Sequence, residues 1–191
     1  MIRLASFRPE FFNANGDQGN LEVLEKQIEW RGGESETTHD LSKDFDFLLI
    51  GDASRAAMRE FEGELLDLVP VLENRLANGK ATLLVGSAHE FYAGKVIGLK
   101  KLTRGKRRSE FRSLTAAGVK AFGYRNSEVD VDLVISRAFI STTLFGPVLA
   151  KSPDLLERVL QGIGITQALP EAKATELNHL VEEIRSRSIS G

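Results

Sequence analysis

The chain has no cysteine among its 191 residues. That excludes a disulfide framework, a Cys-ligated zinc, an iron–sulfur cluster and a cysteine nucleophile. Histidine is scarce as well, at positions 39, 89 and 179 only, so imidazole bases and metal ligands are in short supply and neither a metal centre nor a cofactor is expected. Charge of one sign is also missing: 25 Lys and Arg stand against 27 Asp and Glu, a net charge of -2. This argues against a chain that is basic throughout. No apolar run approaches the roughly 18 residues of a membrane span, and the opening MIRLASFRPE is too polar for a secretory signal. A soluble, cytoplasmic protein without membrane association is the expectation. With 42% hydrophobic residues there is enough apolar material for a single domain over 1–191.

The hydrophobic pattern alternates between two periods. Ile2 to Phe7 reads as an opening strand, and the polar, Gly-punctuated stretch from Asn13 to Asn20 as a turn. Leu21, Leu24 and Ile28 then recur at helical spacing up to Gly32-Gly33. Phe45 to Ile50 and Ala81 to Val85 are short continuous apolar runs, the pattern of strands buried on both faces of a parallel sheet. Between them Phe61, Leu65, Leu68, Leu72 and Leu76 mark a helix that Pro70 should kink or split. From Phe111 to Thr143 come four short β-prone pieces, read as antiparallel additions to the sheet. Helices resume at Pro153–Gly162 and over about 171–187, where Leu177, Leu180, Val181 and Ile184 form an apolar stripe. The alternation predicts an α/β fold of three layers, flavodoxin- or Rossmann-like, with a mostly parallel central sheet and added antiparallel strands.

In such folds ligands sit beyond the carboxyl ends of the strands. Three strand ends stand out: Asn13 to Asn20, Gly51 to Ser54, and Val85 to His89. The last has the form of a nucleophile elbow, an apolar strand turning sharply through small residues into a helix. Spacing places the apex at Val85, a side chain with no nucleophilic atom.

Four blocks together resemble a class I (triad) glutamine amidotransferase domain: Asn13-x-x-x-Asp17-x-Gly19-Asn20, Ile50-Gly51 with Ser54, Leu84-Val85-Gly86, and Leu144-Phe145-Gly146-Pro147-x-Leu149. Gly123-Tyr124-Arg125-Asn126-Ser127 is similar to a Gly-Phe-Glu-Asn-His block of the branch that holds cobyric acid synthase amidotransferase domains and the glutaminase subunit of lipid II isoglutaminyl synthase. The resemblance covers about residues 10–165. It implies a cysteine nucleophile where this chain has Val85, a histidine base where it has Phe145, and oxyanion-hole glycines where it has Asp52 and Ala53. Nucleophile and base are thus both replaced by groups that cannot transfer a proton, and glutamine hydrolysis by the family's route is expected to be lost.

The remaining candidates are for binding: Asp17 and Asn20 at the cleft rim, Gly51, Ser54, Gly86, Ser87, His89, Arg108 and Asn126. Ser87 also reads as the N-cap of a helix, with Glu90 completing a capping box, and His89 as a surface or pocket-lining residue. Arg108 is the nearest match to the family's arginine for the glutamine carboxylate. It lies in a basic run, Lys95 to Arg112, that reads as a solvated hairpin loop or as a dock for an anion or a partner; no aromatic side chain interleaves before Phe111, so nucleic acid is the least supported partner. The expectation is a degenerate amidotransferase-like protein that binds a ligase or synthetase (Mur-ligase-like by analogy) or an amidotransferase paralogue. The alternatives are a different enzyme built on Ser87, His89 and Asp17, and a sensor of an amino acid or an anionic metabolite.

Overall fold

The short apolar runs and the helical stripes settle into layers as their periods require. The structure, a computed structural model, describes residues 1–190. In chain order its elements are β1 (Ile2–Ser6), α1 (Gly19–Trp30), β2 (Ser35–Thr38), β3 (Phe47–Ile50), α2 (Arg55–Glu60), α3 (Glu62–Asp67), α4 (Val69–Asn78), β4 (Thr82–Val85), α5 (Ser87–Tyr92), β5 (Arg104–Ala116), β6 (Val119–Val129), β7 (Leu133–Ser136), β8 (Phe139–Thr142), β9 (Leu144–Phe145), α6 (Val148–Lys151), α7 (Pro153–Gly162) and α8 (Glu171–Ser190). The main sheet has the order β2-β1-β3-β4-β8-β7. It is parallel except for β7, which pairs antiparallel with β8. A second, antiparallel sheet has the order β5-β6-β9.

Residues of β3 and β4 alternate between two cores. Leu49, Leu83 and Val85 pack with Leu21, Leu24 and Ile28 of α1 and with Val159 and Leu160 of α7. Leu48, Ile50 and Leu84 pack on the other face with Leu65, Leu72, Ala88 and Tyr92. Because both faces are covered, these strands have no polar alternation. The chain order reverses beside β1: β2 lies on one side of it and β3 on the other. That switch point opens a crevice at the carboxyl ends of β1 and β3.

Some elements differ from the sequence reading. The helix expected across Phe61 to Leu76 is divided into α2, α3 and α4, and Pro70 sits in the first turn of α4, where its missing N–H costs nothing. The basic run is not a loop: from Arg104 onward it is β5, one arm of a long hairpin with β6. Its charge is accommodated because β5 is an edge strand with exposed side chains through Phe111. The apolar stripe of α8 is only partly covered, since Val181 is buried while Leu180 and Ile184 are each 43% exposed. No described helix is long and apolar enough to cross a membrane.

Candidate functional site

Two sequence blocks far apart in the chain close on each other beneath the crevice. Asp17 is fully buried; its Oδ1 accepts the Gly146 N–H at 3.0 Å and its Oδ2 the Asp52 N–H at 2.8 Å. Asn20 is fully buried too, with Oδ1 accepting from Leu149 N–H at 3.0 Å and Nδ2 donating to the carbonyls of Asp17 and Gly146. Asp17-x-Gly19-Asn20 and Gly146-Pro147-x-Leu149 are therefore one clasp. Gly19 is part of it, because a Cβ there would come within 3.1 Å of the Pro147 ring. Asp17 and Asn20 were expected at the cleft rim. They lie below its floor instead, because each side chain is consumed by buried backbone groups that need partners. Gly51 serves the same closure: a Cβ there would lie 2.2 Å from the Phe12 carbonyl oxygen.

Burial raises the Asp17 pKa to about 7, against the two N–H groups and the nearby Lys151, which favour its charged form. Lys151 is pushed down by its own burial, with Asp17 opposing.

The elbow lies directly above. The left-handed backbone falls at Gly86, with φ +58° and ψ -115°, not at Val85. Val85 is the last residue of β4, pairs with Thr142, and buries its side chain in the core. The apex is thus one residue later than spacing suggested: β4 ends at Val85 and the turn itself falls on the glycine after it. A Cβ at Gly86 would stand 2.5 Å from Asp52 Oδ1 and 2.6 Å from Phe145 Cε1. The space above the apex is filled by a carboxylate and a ring.

The backbone donors around the apex are engaged as well. Ser87 N–H donates to Asp52 Oδ1 at 2.8 Å, and Asn15 Nδ2 holds Asp52 Oδ2 at 2.8 Å. Ala53 N–H donates to Ser87 Oγ at 2.8 Å. The capping box expected at Ser87 and Glu90 does not form. Gly86 holds the cap position without a side-chain bond, Ser87 is already inside the helix, and its hydroxyl reaches across to Ala53. Glu90 turns the other way, accepting from the Ser127 hydroxyl at 2.8 Å and from Arg104 at 2.9 Å.

His89 is neither on the surface nor in the cleft. It is buried beneath α5, with Nε2 2.9 Å from the Val131 carbonyl and Nδ1 2.7 Å from Ser141 Oγ. A carbonyl only accepts, so Nε2 carries the proton and Nδ1 accepts from the hydroxyl. Burial lowers its pKa and holds the ring neutral. Ser87, His89 and Asp17 thus have three separate sets of partners and make no triad, as expected for i, i+2 residues that point to different sides of a helix.

Above the apex an open cleft of about 670 Å³ remains. Of the candidates, Asp52, Ala53, Ser54, Gly86, Ser87, Asn126 and Phe145 line it. Arg108 does not: it lies exposed on β5 opposite Ser127, and Arg104 and Arg107 face the cleft in its place. A register shift between Arg104 and Arg108 turns the strand there. The β6 wall contributes Tyr124, Asn126, Ser127 and Glu128; Tyr124, Asn126 and Glu128 are half-buried, while Gly123, Arg125, Ser127 and Val129 are buried. Tyr124, Glu128 and Arg55 line the cleft without having been site candidates, and no apolar alternation marks them, since the buried positions of β6 include Arg125 and Ser127. Asn126 Oδ1 is held by the Ser109 hydroxyl at 2.9 Å. Arg125 and Asp132 form an ion pair behind this wall at 2.8 Å, and Arg112 reaches the other Asp132 oxygen at 3.3 Å.

Ser54 caps α2 by accepting from Ala57 N–H at 3.2 Å. Ser54→Ala is expected to lower stability by about 1 kcal/mol, read from urea denaturation midpoints.

No family model matches the chain, and no curated protein does. Solved structures do. A chain of PurLQS from Thermotoga maritima superposes with a TM-score of 0.52 at 10% identity, covering 84% of this chain and 98% of that one. A glutamine amidotransferase from Thermotoga maritima gives 0.51 at 13% identity, covering 95% and 89%. The chain thus has a glutamine amidotransferase-like α/β fold, with a mostly parallel central sheet and added antiparallel strands.

Proposed function

We propose that this chain is a catalytically degenerate glutamine amidotransferase-like protein that acts as a binding or regulatory subunit. Triad hydrolysis of glutamine needs a nucleophile at the elbow, a base within hydrogen-bond reach and N–H groups free to receive the oxyanion. The observation that carries the reading is the sealed apex. Gly86 has no side chain, and Asp52 and Phe145 occupy the space that one would need. Phe145 also stands where the family resemblance places the base. The Ser87 N–H is bound to the Asp52 carboxylate, and the Ala53 N–H to a hydroxyl.

Loss of chemistry with retention of the fold leaves surface and cleft as what the protein offers. The partner class that fits is a ligase or synthetase, Mur-ligase-like by resemblance, or an active amidotransferase paralogue. The fold likeness to a PurLQS chain supports a setting among other proteins. The test is size-exclusion chromatography of the chain mixed with ligases and synthetases encoded beside it. Co-elution is expected, with the ligase continuing to use free ammonium and not glutamine. Separate elution with every such partner counts against the reading.

A further inference from the structure

The cleft has a volume of about 670 Å³, within the size range of small-molecule sites. Its carboxylates are already engaged. Asp52 is held by the Ser87 N–H and the Asn15 amide, Glu90 by Ser127 and Arg104, and Glu128 stands 3.6 Å from Arg104 and 4.0 Å from Arg107. Its cations are not used up in return. Arg55, at the start of α2, has no side-chain partner among the described residues, and Lys95, just past α5, lies 4.2 Å from the centre of the Phe91 ring with Nζ donating to the Phe91 carbonyl. Four cations of the lining (Arg55, Lys95, Arg104 and Arg107) face three carboxylates (Asp52, Glu90 and Glu128), a positive surplus in a chain whose net charge is -2. The cations come from α2, from the turn after α5 and from β5, so the fold gathers them where the sequence keeps them apart. Tyr124 adds a phenol on the β6 wall that has no hydrogen-bond partner among the described residues.

We propose that this cleft binds a small multivalent anion, a phosphate ester or a polycarboxylate, with Arg55 and Lys95 as its charged contacts. The inference rests on the reading that the cleft does not turn over glutamine. A guanidinium donates two N–H groups in a fork to oxygens of such an anion, and the lysine serves as a compact point charge. With the floor closed by Asp52 and Phe145, the anion is bound and released unchanged.

Isothermal titration calorimetry of the full chain at constant ionic strength tests this, using pyrophosphate, ATP, citrate and glutamine. Saturable binding is expected for pyrophosphate or ATP if the natural ligand is a phosphate ester, for citrate if it is a polycarboxylate, and for glutamine not at all. The double variant Arg55→Glu/Lys95→Glu should weaken binding by at least about tenfold. Both residues are exposed, so its melting temperature without ligand should match the parent. Arg55→Gln should weaken binding in the same direction. The control Lys106→Glu/Arg108→Glu reverses the same charge on β5 outside the cleft and should stay within about twofold of the parent. The proposal is overturned if none of the three anions binds saturably, or if the control weakens binding as much as the test pair. Ammonia release from glutamine would instead overturn the reading beneath it, so the two failures are distinguishable.

Discussion

Asp17→Ala is expected to cost about 3–5 kcal/mol of folding stability, because it orphans two buried N–H groups at once, each worth about 1–3 kcal/mol. Asp17 is fully buried beneath the cleft floor, so the N–H groups of Asp52 and Gly146 lose an acceptor that no neighbouring side chain replaces. Both ends of the clasp should loosen together. Urea denaturation reads the loss, and an effect below about 1 kcal/mol would mean that the clasp does not hold the floor. The same residue gives stability a pH dependence of definite sign. Its folded pKa is raised to about 7, above that of the unfolded chain. Between about pH 4 and pH 7 the folded state keeps a proton that the unfolded state has lost. Asp17's contribution is therefore full below the unfolded value and is lost as pH rises through the folded one. The loss is on the order of 4 kcal/mol. Asp17→Asn stays neutral at all pH values, so it should remove this component, at the cost of one of the two N–H acceptors. The parent and Asp17→Asn should diverge as the pH is raised from 5 to 8; parallel stability curves would contradict the account.

Gly86→Cys is the second large effect, and it tests the elbow directly. The substitution puts a thiol at the residue whose backbone has the elbow conformation, yet the account predicts no gain of function. A side chain at φ +58° and ψ -115° is strained, and its Cβ would press on the Asp52 carboxylate and the Phe145 ring. A loss of about 2–4 kcal/mol is expected, from strain and overpacking together. Ammonia release from glutamine should stay at the blank level, because Phe145 supplies no base. A stable, active Gly86→Cys would show that the apex has room and that another group acts as the base.

The layers of the fold were legible because β3 and β4 are buried on both faces, and a short continuous apolar run bounded by turn residues is the pattern that such burial requires. β2 was not, since Ser35–Thr38 is an edge strand whose conformation comes from pairing with β1 and not from apolar content. The basic half of β5 was hidden for the same reason: its charged residues are extended because β6 pairs with them. At the site, spacing found the elbow but missed its apex by one residue. The signal that would have corrected it was Gly86 itself, the residue there best able to take a positive φ. Asp17 and Asn20 read as binding residues at the cleft rim, whereas their side chains are spent on backbone groups below its floor. Sequence shows that Asp and Asn favour turns and caps; only the packed structure shows that their partners are backbone groups near Gly146, more than a hundred residues away.

A sealed elbow should perform no glutamine hydrolysis. Its most direct test is release of labelled ammonia from amide-labelled glutamine by the intact chain, alone and with a ligase partner present. The expected rate equals the protein-free blank in both cases. Turnover above the blank that persists in Val85→Ala and disappears in Ser87→Ala would contradict it, and would place a working nucleophile on the hydroxyl that here accepts from Ala53.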